Sequence, residues 1–257
     1  GERPIPELWH CAVNPWASRE LRWRQAPLPK GRRKVLIIGG GVSGMYAALT
    51  AAERGHEVIL CEKESRLGGQ LWFTDVDTHK ESLKRFRDSL IASCIYRGVK
   101  IMKDTAATTE FIELIKPDAV ICAVGGKPFV PPIKGIEKAV YAVDVYKNLS
   151  QLGRRVVLIG GGAIGCESGF FFAGECGSSV HILEMRDDIC KDSNDSQRRA
   201  LIPRMKKSGM TWDCNVTVCE ITDKGVIYHD QNGNEQFAEA DCVIYACGSR
   251  SDDDAVK

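Results

Sequence analysis

The residues with the most specific chemistry in this sequence are two sets of glycines, Gly39, Gly41 and Gly44, and Gly160, Gly162 and Gly165. Each set ends an apolar run and opens a helical stretch. In that setting the first glycine takes a tight turn, the second lets a diphosphate approach the backbone, and the third lets helix and strand pack closely. The anion then rests on the unpaired N–H groups and positive pole of the helix N-terminus, which involves Val42 and Ser43 in the first copy and Ala163 and Ile164 in the second. About 20 residues further on, an acid at the end of the next strand accepts hydrogen bonds from an adenosine ribose. Glu62 and Glu184 stand at those places. A lone GxGxxG is weak, because glycines collect in any turn. Two copies, each with its strand, helix and terminal acid, point to two dinucleotide sites. This reading would fail if side chains capped either glycine turn so as to leave no room for a ligand. The carboxylate of Glu184 favours the free 2′-hydroxyl of NADH over the 2′-phosphate of NADPH, a preference that Arg186, two residues later, would reverse if it reached the ribose.

The elements that must position these residues can be read on either side of them. From Lys34 the run KVLIIGGGVSGMYAALTAAERGHEVILCEK reads as a buried parallel strand, a turn, a helix closed by Gly55 and a second strand ending at Cys61-Glu62. The same order recurs from Arg155. Between the two copies the sequence predicts a helix over about 79 to 97 and a strand over about 99 to 102. A short helix over about 109 to 115, stopped by Pro117, and a strand 118–124 ending at Gly125-Gly126 follow. After the second copy come a helix over about 194 to 208, three short strands with an Asn232-Gly233 hairpin turn, and a strand ending in Ala246-Cys247-Gly248-Ser249. The expected fold class is α/β, two tandem Rossmann-like dinucleotide-binding domains. The first 33 residues, basic, proline-bearing and carrying Trp9, Trp16 and Trp23, show no helical or strand period and read as an irregular connector packed through its tryptophans.

Composition narrows the alternatives. The 257 residues can bury a real core, and 35 Lys and Arg against 34 Asp and Glu leave a net charge of +1, so neither nucleic acid nor an anionic membrane is the expected partner. No apolar run reaches the length of a spanning helix and no signal-peptide h-region opens the chain, which favours the cytoplasm. The 11 cysteines are odd in number, dispersed and without CxxC pairs, so reduced thiols are expected. Cys214 with Cys219, and Cys242 with Cys247, have the spacing of some redox dithiols. Both pairs read as lying in strands, where a five-residue offset of roughly 16 Å prevents a disulfide. Cys122 reads as a plain strand cysteine and Cys166 as a packing residue beneath the second turn, although a helix N-terminus lowers a thiol pKa in principle. His10, His56, His79, His181 and His229 lack metal-ligand spacing, and no HExxH, GxSxG or P-loop is present. No side-chain acid or base is expected to be catalytic, since cofactors would carry the chemistry.

The run RLGGQL at Arg66 to Leu71, the ICAVGG and YACGSR strand ends, and CAVNPWASRE at Cys11 to Glu20 together resemble the C-terminal half of the Old yellow enzyme-like iron-sulfur NADH:flavin oxidoreductases. That family includes 2,4-dienoyl-CoA reductase and 2-enoate reductase, with trimethylamine dehydrogenase as a relative. The resemblance implies that an N-terminal TIM barrel carries FMN and the substrate site, followed by a [4Fe-4S] cluster whose last cysteine matches Cys11. It implies FAD at Gly41, Ser43, Gly44 and Glu62, with Lys63, Gly69, Gln70, Ala123, Gly125 and Gly248 as further cofactor neighbours. The second copy would then hold NAD(P)H, with Glu167 beside the nicotinamide and flavin. As an ordinary residue, Glu167 would be an acid favourable to the helix dipole. The implied domains are a connector over 1–33 from a barrel outside the sequence, an FAD domain over 34–149 plus 247–257, shortened at its C-terminus, and an NAD(P)H domain over 150–246. The expected role is electron input from NADH through FAD, cluster and FMN to an unsaturated substrate. The alternative is a non-redox nucleotide scaffold, as in trimethylamine dehydrogenase. In the isolated chain FAD is expected to be weak or absent.

Overall fold

The computed structural model describes residues 11, 13–27 and 29–252. Trp9, His10 and the closing residues 253–257 lie outside the described residues. The chain forms two compact units, one of Gly1–Trp72 with Ser82–Val124, the other of Phe73–Glu81 with Gly125–Lys257.

In the first unit a short helix α1 (Glu20–Arg24) interrupts the opening segment, where sequence periodicity had given no regular element. The tryptophans of this segment pack on each other, Trp16 and Trp23 stacking with centroids 4.0 Å apart, and Arg54 lies over the Trp23 ring. Strand β1 (Lys34–Ile38) runs into helix α2 (Val42–Glu53), then β2 (Glu57–Cys61), a helix α3 (Glu81–Tyr96), β3 (Lys100–Met102), α4 (Thr109–Ile115) and β4 (Ala119–Cys122). All pairings are parallel, in the order β3-β2-β1-β4. Side chains alternate across β1: Val35 and Ile37 pack with Met45, Ala48, Leu90 and Cys94 on one face, while Leu36 joins Ile59, Phe111 and Ile112 on the other. This two-sided burial explains the continuous apolar runs. Thr108 caps α4, its hydroxyl accepting from Phe111 N, and Lys116 ends it in the left-handed region before Pro117.

The second unit begins its own pairing with β5 (Gly126–Pro128), β6 (Val140–Tyr141) and a one-turn helix α5 (Ala142–Val145). Then follow β7 (Arg155–Ile159), α6 (Ala163–Gly174), β8 (Ser179–Leu183), α7 (Asp195–Lys207), β9 (Thr211–Asp213), β10 (Thr217–Thr222), β11 (Gly225–His229), β12 (Glu235–Glu239), β13 (Cys242–Tyr245) and β14 (Ser249–Ser251). The parallel sheet has the order β6-β13-β7-β8-β9, and β10-β11-β12 form an antiparallel meander with Asn232-Gly233 between β11 and β12. Between the two repeats the compact units change at Val124/Gly125; β6 is hydrogen-bonded to β13, and β14 pairs antiparallel with β5. Cys214 lies off any strand: β9 stops at Asp213, and Asn215 turns the chain at φ +56. Cys247 likewise follows the end of β13. Among the described residues no helix is long and apolar enough to cross a membrane.

Candidate dinucleotide-binding turns

The β1–α2 turn is built by close backbone approach. Gly39 sits at φ +106 with Ala123 O against the position a Cβ would take, and a Cβ on Gly44 would strike Gly39 O. The protein's own packing therefore requires glycine at both places. Gly41 is different. Its φ of −71 suits any residue, and the atom nearest to a Cβ there is Gly69 Cα at 3.9 Å. As N-cap of α2 it provides no side-chain cap, and the helical ladder begins only where Met45 N donates to Gly41 O, leaving the N–H groups of Val42, Ser43 and Gly44 outside the ladder. Gly39, Gly41, Val42, Ser43 and Gly44 are thus brought together at one helix N-terminus whose first N–H groups lie outside the ladder.

Glu62 does more than stand at a strand end. It is 8% exposed, so it is not a solvated carboxylate, and both oxygens are engaged by backbone: Oε2 accepts from Gly40 N at 2.6 Å and Oε1 from Glu64 N at 2.9 Å. The following loop docks on the same turn, with Leu67 against Gly40 and Gly68 N donating to Gly40 O at 2.9 Å. Lys63, Gly69 and Gln70 are exposed beside it. The middle glycine, absent from the predicted set, is thus the residue the acid holds. The sequence signal was the unbroken triplet Gly39-Gly40-Gly41.

The second turn repeats these contacts. Gly160 has φ +103 with Ala246 O against it, and Gly165 is appressed to Gly160 O. Glu184, 4% exposed, accepts from Gly161 N at 2.5 Å through Oε2 and from Arg186 N at 2.8 Å through Oε1. Arg186 Nε also donates to that oxygen at 3.2 Å, which draws the guanidinium onto Glu184. Ile189 packs on Gly161 and Cys190 N donates to Gly161 O at 2.6 Å. One feature departs from the open helix end expected: Asp192 Oδ1 accepts from Ala163 N at 2.8 Å, so one of the α6 N-terminal donors is taken by a side chain. Ile164 is exposed, and Cys166 is fully buried with Sγ donating to Gly161 O at 3.2 Å. Burial pushes the Cys166 thiol up, against the lowering that a helix N-terminus alone would give.

Glu167 lies farther along α6 and lines a cavity of about 170 Å³ within the second unit, with Asp77, Lys80, Phe170, Gln197 and Arg204. Its Oε2 accepts from Lys80 Nζ at 2.6 Å and its Oε1 from Gln197 Nε2. Sequence reasoning singled out Glu167 but neither partner, which come from distant segments. Gly125 and Gly248, exposed at φ +80 and +95, flank the β5–β14 ribbon. Each described histidine has a separate partner: His56 with Arg33 N, His79 with Glu175, His181 with Thr211 and His229 with Cys219. All eleven cysteines are free, Cys11 and Cys122 exposed among them, and the described residues contain no group of three or more His, Cys, Asp or Glu arranged to hold a metal.

The family model described as pyridine nucleotide-disulphide oxidoreductase matches residues 33–257. The chain belongs to that family. Its relatives include an NADH oxidase of Thermoanaerobacter brockii, 38% identical over 244 residues, and a cinnamate reductase of Clostridium sporogenes, 34% identical over 256 residues; these alignments cover 93% and 95% of the chain. Among solved structures, a 2-naphthoyl-CoA reductase in complex with 2-naphthoyl-CoA matches 96% of the chain with a TM-score of 0.86 and 33% identity. The chain spans 37% of the length of each of the two relatives and 38% of the solved chain. The resemblance found in the sequence therefore holds: this is a flavin-dependent pyridine-nucleotide oxidoreductase domain, similar to enoate and acyl-CoA reductases, of a family that implies FAD and NAD(P)H.

Proposed function

We propose that the chain is the electron-input module of a larger flavin-dependent reductase, in which NADH bound by the second unit reduces FAD bound by the first. The observation that supports this most directly is the repeated turn. Twice a buried glutamate clamps the middle glycine of a triplet, so that a helix N-terminus is presented at a fixed strand end. The first turn would hold the FAD diphosphate at Gly41, Val42, Ser43 and Gly44, with Glu62, Lys63, Gly69, Gln70 and Ala123 as the remaining candidate neighbours within the first unit. The second would hold the nicotinamide dinucleotide at Gly160, Gly162, Ala163, Ile164 and Gly165, with Glu184 at its ribose. FAD bound there would supply the chemistry of accepting a hydride from reduced nicotinamide and releasing electrons singly.

The chain's own part is to bind and orient. Glu167 would lie near the nicotinamide bound by its own unit, its carboxylate fixed between Lys80 and Gln197. NADH is favoured over NADPH because the Arg186 guanidinium is already engaged by Glu184 through Nε at 3.2 Å. Cys11 is proposed as one ligand of a [4Fe-4S] cluster leading to FMN in a partner barrel. Such a cluster takes four thiolates, of which Cys11 would be one. The substrate would be reduced in that barrel.

A second reading, a nucleotide-binding scaffold without redox use, is favoured by one observation, the Asp192 carboxylate on the second helix N-terminus. The experiment that separates the two is anaerobic mixing of the purified whole protein with NADH, with mass spectrometry of the released cofactor. Intact FAD whose visible absorbance is bleached by NADH is expected. ADP in place of FAD, or a flavin that NADH leaves oxidised, would refute the module.

A further inference from the structure

Counted from the strand-end glutamates, the loops that dock on the two turns correspond residue by residue, Leu67 with Ile189 and Gly68 with Cys190, and they make the same contacts. They part at the next two positions, which are Gly69-Gln70 in the first unit and Lys191-Asp192 in the second. Near the first helix end the closest approach to a Cβ on Gly41 is a glycine Cα at 3.9 Å. At the second, Asp192 Oδ2 lies 3.0 Å from the same position on Gly162, and Oδ1 accepts from Ala163 N. A carboxylate at a helix N-terminus makes the interaction a phosphate would make there.

We propose that Asp192 is an internal competitor for the diphosphate of the nucleotide in the second unit, so that binding there requires the carboxylate to withdraw and release is aided by its return. This rests on the reading of the second turn as a nucleotide site, and concerns how tightly that site holds. One N–H cannot serve both anions, and the two negative groups repel each other. The loop carrying Asp192 is anchored independently of it. Cys190 N binds Gly161 O, Cys190 Sγ contacts Ser193 Oγ at 3.2 Å, and Arg198 holds Ile189 O at 3.2 Å together with the Asp188 carboxylate. The Asp192 side chain is 52% exposed, so it can rotate away without unfolding that anchorage. Among the described residues the first turn has no such competitor, which suits a cofactor that stays. The second suits a nucleotide that must leave after each turnover.

The test is NADH titration of the full chain, followed calorimetrically, for the wild type, Asp192→Asn, Asp192→Ala and a control, Asp187→Asn. Asp187 is a neighbouring carboxylate on the same loop that pairs with Lys191 at 2.5 Å. Asp192→Ala should lower Kd by about two- to fivefold, the size of one anion's interaction with a helix end. Asp192→Asn, which keeps an acceptor for Ala163 N and so preserves the fold, should give a smaller gain. Asp187→Asn should leave Kd unchanged. Equal or weaker binding by both Asp192 variants, or an equal gain from Asp187→Asn, would overturn the competitor while leaving the nucleotide site standing. Absence of saturable NADH binding in every protein would overturn the site itself and the competitor with it.

Discussion

Glu184→Gln separates a glutamate that serves only a ribose from one that also builds the turn. The two carboxylate oxygens each accept a backbone N–H, from Gly161 at 2.5 Å and from Arg186 at 2.8 Å, in a side chain 4% exposed. A glutamine has one acceptor oxygen. Its amide group must face one of the two N–H donors, so one bond is lost and two donors are opposed. A hydrogen bond to a charged group contributes about 1.5–3 kcal/mol, and a buried donor left unmet costs about 1–3 kcal/mol. Glu184→Gln should therefore destabilise the second unit by about 2–3 kcal/mol with no nucleotide present, and Glu184→Ala by about as much or slightly more. Urea denaturation followed by tryptophan fluorescence gives the loss. Peptide-level hydrogen exchange over residues 155–170 assigns it to this turn. Glu62→Gln should do the same over residues 34–50, since Gly40 N and Glu64 N are its two donors. If Glu184→Gln unfolds at the wild-type midpoint without nucleotide, and only nucleotide binding suffers, the clamp argument is wrong.

Gly44→Ala should prevent folding of the first unit or cost about 3 kcal/mol or more, because its Cβ meets the Gly39 carbonyl; Gly41→Ala should stay within about 1 kcal/mol of wild type while lowering FAD content, read by thermal melting and cofactor assay. Burial raises the Asp77 carboxyl pKa, so Asp77 favours the folded state when protonated and that contribution is lost as pH rises through the folded pKa. Asp77→Asn should thus raise the melting temperature near neutral pH, and the advantage should vanish in acid. Lys80→Met, which removes the 2.6 Å partner of Glu167, should cost about 0.5–1 kcal/mol, and pairing it with Glu167→Gln in a double-mutant cycle should recover part of that loss. A thiol reagent should modify the exposed Cys11, Cys122 and Cys176 first, while Cys94, pushed up to about 11 by burial, and Cys166 should react only on unfolding; rapid loss of Cys166 would contradict its packing role.

Local chemistry made much of the fold legible. The glycine triplets mark their turns because only glycine tolerates Gly39 at φ +106 and a helix turn against its carbonyl at Gly44. Thr108, Lys116 and Pro117 bracket α4, and Asn194, whose side chain accepts from Gln197 N, starts α7. What stayed hidden depends on contacts distant in sequence. The two-residue β6 finds its partner in β13, with Val140 beside Ile244, a pairing no local pattern announces. Cys214 read as part of a strand because apolar alternation carries through it, whereas Asn215 in the left-handed region separates β9 from β10. At the candidate sites, spacing found the acids, but not that Gly40 and Gly161 were what they hold.

The repeat itself shows where the two units were made different. Their strand ends match: Gly39 N donates to Cys61 O and Gly160 N to Leu183 O, each at 2.9 Å, while Ala123 N and Ala246 N each donate to the strand end at 2.8 Å. Clamping acids and docking loops match as well. A shared framework this close removes backbone geometry as a cause of any functional difference between the turns, and leaves the side chains placed on it. At the loop crest the first unit has Gly68 at φ +115 and then Gly69 at +52, which keep bulk away from Gly41. The second has Cys190 at +57, a conformation a side chain rarely takes, followed by a residue whose carboxylate reaches the helix end. Backbone tolerance was exchanged for a functional group at the second turn alone. A difference in nucleotide retention between the two sites should therefore follow Gln70 and Asp192, and transplanting Gln to position 192 should make the second turn hold its ligand more as the first does.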